Sequence, residues 1–171
     1  MKDRQQPTAE EINREFTAFR DQFRSVILAT SDRDGTPESS YAPCIRSDDG
    51  AYYVYLSELA RHCANLLANP RASLLFIHDE TQGGNPFARQ RLSYQAEARE
   101  IARDSESWTQ AMSRLQDEFG EIVSLLAGLG DFHLFRLQPV RGNYVRGFAK
   151  AYEITGEAMD RIRHIDPSNR S

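Results

Sequence analysis

The residues best suited to chemistry fall in two short clusters. Ser57-Glu58-Leu59-Ala60-Arg61-His62 reads as a helix start, with Ser57 as its N-cap and Glu58 in the first turn. Such a start exposes backbone N–H groups and the positive end of the helix dipole. Arg61 and His62 could add charge-assisted hydrogen bonds to a phosphate or carboxylate. The same six residues also describe an ordinary solvated helix start. Arg89 and Arg91 form the second cluster. At i, i+2 on a strand they would share a face and could grip one anionic group; on an outer face they would be solvated charges. Two anion sites of this sort suit an anionic cofactor with a flat apolar body.

Other chemistries lack their signatures. His62, His78, His133 and His164 are not paired at metal-ligand spacing, so zinc is not expected. A single axial histidine for haem needs no partner spacing, which keeps haem open. His164, in a polar tail, reads as exposed. No G-x-S-x-G, P-loop or dinucleotide fingerprint occurs. The net charge of -4 argues against a general nucleic-acid binder. No apolar run approaches the roughly 18 to 20 residues of a membrane helix. Residues 1–15 do not read as a signal peptide. Cys44 and Cys63, the only cysteines, read as core thiols of a cytoplasmic protein.

The elements that would position these groups follow from patterning. Ile12, Phe16, Phe19 and Phe23 predict an amphipathic helix over Ala9 to Arg24. Val26–Thr30, Glu38–Arg46 and Ala51–Leu56, separated by Asp/Gly turns, predict a three-stranded antiparallel meander with Pro43 at an edge or bulge. The helix begun at Ser57, with Leu59, Cys63, Leu66 and Leu67 as its apolar face, stops at Asn69-Pro70. Ala72–Ile77 is a buried strand, Thr81–Pro86 a loop, and Arg89–Arg103 an alternating strand. Asp104 caps a helix whose apolar stripe runs from Trp108 to Leu126, broken at Gly120. Phe132–Leu137 and Asn143–Arg146 read as a closing hairpin around Pro139 and Gly142, followed by Ala149–Ile154. The sum is α+β: roughly six to seven mainly antiparallel strands in a closed, barrel-like sheet with peripheral helices, which the resemblance given below identifies as a split β-barrel. Its expected organisation is a flexible segment at 1–15, the barrel domain at 16–156 and a mobile tail at 157–171.

Several short motifs carry a family resemblance. Arg61-His62, Asn65-Leu66, Asn69-Pro70 and Ser73-Leu74 are similar to the helix-to-strand signature of pyridoxamine-5'-phosphate-oxidase-like, FMN-binding split barrels. Ser40-Tyr41-Ala42-Pro43, Phe87 to Leu92 and Phe119-Gly120-Glu121-Ile122 resemble the HugZ/HutZ haem-utilisation proteins, as do Asp131-Phe132, Leu134 to Pro139 and Gly147 to Tyr152. The resemblance implies a homodimer with cofactor clefts at the subunit interface, haem binding, and oxidative opening of the haem ring to release iron. It places Arg91 near the haem propionates and Asp131, as the candidate catalytic residue, near the proximal ligand from the other subunit. The family's axial histidine falls at Asn169 here, which leaves His164 as the candidate iron ligand. Three readings follow. One is a haem-degrading oxygenase. Another is a flavin oxidoreductase holding FMN phosphate on the Ser57 helix start with Arg61, His62 and Arg91. The third is a haem carrier.

Overall fold

The computed structural model describes residues 7–82, 85–148 and 150–165. Helix α1 (Ala9–Arg20) opens the chain, nucleated by a capping box in which Thr8 and Glu11 satisfy each other's backbone N–H. Helix thus begins inside the 1–15 segment expected to be flexible. Nine strands follow among the described residues: β1 (Ser25–Ser31), β2 (Pro37–Pro43), β3 (Ile45–Arg46), β4 (Tyr52–Ser57), β5 (Arg71–Ile77), β6 (Arg91–Ile101), β7 (Phe132–Gly147), β8 (Lys150–Thr155) and β9 (Arg161–His164). Helix α2 (Arg61–Ala68) separates β4 from β5, and α3 (Glu106–Phe119) with α4 (Glu121–Ala127) separates β6 from β7.

The strands run in the order β2-β1-β5-β6-β7-β4-β3, with β8 and β9 branching from β7. Every pairing is antiparallel. Strand β2 comes back beside β4, with no ladder between them among the described residues, so the sheet curls into a split barrel. The expected meander is present in part: β1 pairs with β2, and Ile45–Arg46, the end of the expected second strand, pairs with Tyr52 and Tyr53 of β4, while the other edge of β4 pairs along its length with β7.

The expected hairpin at 132–146 is one strand of 16 residues. Its first half pairs with β4 and its second half with β8, while β6 runs along both. Pro139 lies where β7 has left β4 and not yet met β8, so a residue without an N–H is tolerated. The register slips between Gln95 and Ala96, and this bulge bends the strand instead of ending it. Gly142 lets that bend close: a Cβ there would sit 2.6 Å from the Tyr94 ring and 2.9 Å from Ile154.

The barrel interior is filled by Leu28, Val54, Leu74, Phe76, Leu92 and Tyr94, with Phe135, Leu137, Tyr144 and Ile154 from the long strand and its neighbour. Its two ends are plugged differently. At the end where β6 begins, α1 inserts Phe16 and Phe19, with Phe16 meeting Tyr144 edge-on at 5.4 Å. At the opposite end α2 inserts Cys63 and Leu66, and Asn65 Nδ2 donates to Thr30 Oγ1 at 3.0 Å. Ala111, Met112, Leu115 and Val123 of α3 and α4 build a second, smaller core on Ile45 and Leu134. The break at Gly120 is as expected, whereas the α3 cap is Ser105, one residue after Asp104. Arg161–His164 pairs with β8 through Tyr152 to Thr155, so this part of the 157–171 tail is a strand and not a mobile end.

Gly142→Ala is expected to cost about 1–3 kcal/mol through overpacking against Tyr94 and Ile154. The urea midpoint measures it, and an unchanged midpoint would show that the close approach does not matter.

Candidate functional site

Strand β6 is the ruler for the site. It runs from Arg91, paired with Ile77 and Val145, to Ile101, paired with Leu134. At roughly 3.3 Å per residue its ends are about 30 Å apart. Arg91 lies at the α1 end. Ser57 pairs with Phe132, two residues beyond Leu134 at the Ile101 end, and Arg61 and His62 open α2 just after it. Within one subunit the two expected anion clusters therefore stand at opposite ends of the barrel. Two surface grooves, of about 410 and 460 Å³, are lined by other residues and unite neither Arg61 nor Arg91 with a partner cluster.

The Arg91 end has a flat apolar margin. Tyr41, Ile27 and Leu75 stand side by side across β2, β1 and β5, with Tyr41 64% and Ile27 40% exposed. Ile77 is two residues further on the same face of β5 and pairs directly with Arg91. The Arg91 guanidinium spends one donor on the Arg89 carbonyl, Nη1 to O at 3.0 Å, its only hydrogen bond among the described residues. The expected Arg89/Arg91 strand pair is corrected. Arg89 precedes β6 as the end of a short 3-10 turn at Pro86–Ala88, and its Nε donates to the His78 carbonyl at 2.8 Å. Its Nη1 also meets Glu80 at 3.3 Å. Arg89 is a structural tie between two loops.

At the other end, Ser57 does not cap a helix. It terminates β4, and the helix begins four residues later with Ala60 as a cap without a side-chain bond. Ser57 Oγ instead donates to Asp131 Oδ2 at 2.8 Å and accepts from Leu59 N at 3.2 Å. Leu59, expected on the apolar face, is exposed. The Glu58 N–H donates to the Asp131 carbonyl at 2.8 Å. Arg61 is exposed, and His62 is half-buried. Desolvation lowers the His62 pKa, and the charge of Glu38 opposes this only in part. His62 is thus poised to be neutral, and the phosphate cradle expected at Ser57 is not assembled.

The sequence reading did not single out the tightest feature of this end. His133 lies between two carboxylates, Nδ1 to Glu100 Oε1 and Nε2 to Glu58 Oε1, both at 2.6 Å. Satisfying two carboxylate acceptors requires two ring N–H donors, so the ring is held as imidazolium. The bonds from Glu58 and then Glu100 raise its pKa above the ordinary value. Glu58, Glu100 and His133 are brought together by the β4–β7–β6 ladder from segments 33 and 75 residues apart, which leaves no local signal.

His164 pairs with Tyr152, and the two rings meet edge-on at 5.2 Å. It is three strands removed from β6, on the far side of β7 and β8. Asn169 lies outside the described residues. Both cysteines are buried free thiols, with burial pushing Cys44 to about 12 and Cys63 to about 11, so neither is a thiolate nucleophile near neutral pH.

Comparison with known proteins adds to this geometry. The pyridoxamine 5'-phosphate oxidase family matches residues 12–146. Heme oxygenase HutZ of Vibrio cholerae is 42% identical over 156 residues, 91% of this chain and 88% of its own. A crystal structure of V. cholerae HutZ, described as a heme storage protein, is 44% identical with a TM-score of 0.70, covering 74% of this chain and 88% of that one. Campylobacter jejuni ChuZ is 29% identical with a TM-score of 0.83 over 96% of this chain and 66% of its own. An FMN-binding, pyridoxamine 5'-phosphate oxidase-related protein of Nostoc punctiforme shares the fold alone, at 14% identity and a TM-score of 0.65 over 95% of this chain and 99% of that one.

The raised pKa of His133 sets a pH signature. Its stabilising contribution is complete below the ordinary histidine value and is lost as pH rises through the raised folded value. Melting temperatures of the parent and His133→Gln between about pH 6 and pH 9 should therefore converge as pH rises. A constant gap across that range would mean that the ring is not charged.

Proposed function

The chain belongs to the pyridoxamine 5'-phosphate oxidase family, in its HutZ-type haem-utilisation branch, and on that premise we propose that it binds haem between two copies of itself and supports oxidative opening of the ring. One observation carries the reading: Arg91 and Asp131 are both equipped for haem and stand at opposite ends of one subunit. A second copy, laid against the exposed Tyr41–Ile27–Leu75 face, can bring one subunit's Asp131 end against the other's Arg91 end. The homodimer is thus part of the site.

The donor chemistry fits haem. Arg91, with four N–H donors left, would hold a propionate at the margin of an apolar face that suits the macrocycle. Asp131 Oδ1 accepts no hydrogen bond among the described residues, so it is free to accept from the outer N–H of an iron-bound imidazole and raise its basicity. His164 is the candidate for that imidazole within the described residues. Bound haem supplies dioxygen activation at its iron, given an electron donor. The protein contributes orientation, the charge of Asp131 and shielding from water. The flavin reading relied on a phosphate cradle at Ser57, whose hydroxyl is committed to Asp131, so haem is preferred. Cys44 and Cys63 as buried free thiols support a cytoplasmic location. No described helix is long and apolar enough to cross a membrane.

Titrating the protein with hemin should give a saturable Soret change, and the absence of one at micromolar hemin overturns the proposal. Arg91→Ala should weaken binding about 10- to 100-fold, as loss of a charged hydrogen bond does. Sedimentation should show a dimer. Adding ascorbate and air should bleach the Soret band and release iron with a bile pigment; a persistent band would leave storage or carriage as the function.

A further inference from the structure

A carboxylate can direct a ligand only if its own direction is fixed, and Asp131 stands at the start of β7, where an aspartate would otherwise rotate freely. Two contacts on Asp131, backed by a clamp on the neighbouring segment, restrict it. Its backbone carbonyl is tied to the Glu58 N–H at 2.8 Å, and its Oδ2 takes the Ser57 hydroxyl at 2.8 Å. Glu58 in turn is fastened through His133 to Glu100 on β6. The segment after β4 is thereby locked to the first residues of β7. Ser57 Oγ itself is oriented by the Leu59 N–H at 3.2 Å, so its proton is directed to Asp131 and not back to its own chain.

We propose that Ser57 is a positioning residue, which with the Glu58–His133–Glu100 clamp fixes the Asp131 carboxylate so that Oδ2 is occupied and Oδ1 faces the ligand. Ser57 touches no reacting atom in this scheme; it acts only through Asp131. This rests on the reading of Asp131 as an acceptor toward a haem ligand. The serine sits at a strand end, and its partner lies 74 residues away. It therefore contributes to the site in a different role from the helix cap that its local sequence suggested.

A double-mutant cycle on hemin affinity tests this, because a residue acting through Asp131 has nothing left to act on once that carboxylate is gone. Ser57→Ala should weaken hemin binding about tenfold in the parent, within the range of one charged hydrogen bond. In the Asp131→Ala background, which has no side-chain acceptor, the same change should alter affinity by less than about twofold. Ser57→Thr, which keeps the hydroxyl, should restore parental binding. Equal losses in both backgrounds, or parental affinity in Ser57→Ala beside a weakened Asp131→Ala, would overturn the positioning role while leaving the haem reading intact. Parental affinity in Asp131→Ala would instead overturn the role of Asp131, and with it this proposal. Circular dichroism of each variant separates these outcomes from misfolding.

Discussion

Everything in this molecule is referred to the length of β6. An eleven-residue extended strand cannot be shortened, and it holds Arg91 and the Asp131 end about 30 Å apart. No side chain bridges that span. In the proposed homodimer the cationic Arg91 end of one copy would meet the Asp131 carboxylate of the other, each subunit contributing to both sites. The apolar row of Tyr41, Ile27 and Leu75 beside Arg91 would then be a surface for the macrocycle and for the second barrel. Cofactor binding and dimer formation would be coupled in that arrangement, since a ligand that bridges two copies stabilises their association.

The barrel remains rigid over that length because both of its ends are closed by packing and by polar ties. At the Arg91 end Glu15 of α1 accepts from Arg146 Nε at 2.9 Å and from the Tyr144 hydroxyl at 3.2 Å. These ties anchor the helix whose Phe16 and Phe19 plug the barrel. At the other end the buried Asn65–Thr30 bond sets the register of α2 on β1. A polar pair in such a place adds little net stability but penalises every misaligned docking of the helix. The candidate site residues thus rest on elements that do not shift relative to one another.

The electrostatics of the Asp131 end follow the same logic. Glu58, Glu100 and Asp131 would repel one another if left bare at one end of a barrel. The imidazolium of His133 compensates two of them, and the Ser57 hydroxyl serves the third. Among the described residues Oδ1 of Asp131 takes no hydrogen bond, as is true of the second oxygens of Glu58 and Glu100, which bond His133 through Oε1 alone. With Oδ2 held by the Ser57 hydroxyl, the Asp131 carboxylate is an acceptor with a direction.

Much of this could be read from the residues alone. Periods of two and of 3.6 identified the barrel strands, the α1 and α3 stripes and the break at Gly120, because burial imposes those periods directly. Arg91 and Asp131 were identified by resemblance, and the structure leaves both with unused hydrogen-bonding capacity. Long-range pairing was beyond it. Pro139 and Gly142 carry the local marks of a turn, yet the bulge and the close approach of Tyr94 make them the bend of a continuous strand. Ser57 has the chemistry of a cap, but the β4–β7 register gives its hydroxyl to Asp131. His133 has no local signature, and only the ladder sets it between two glutamates. Sequence determines what each residue can do within a few neighbours. Which partners it meets is decided by strand register, a property of the whole sheet.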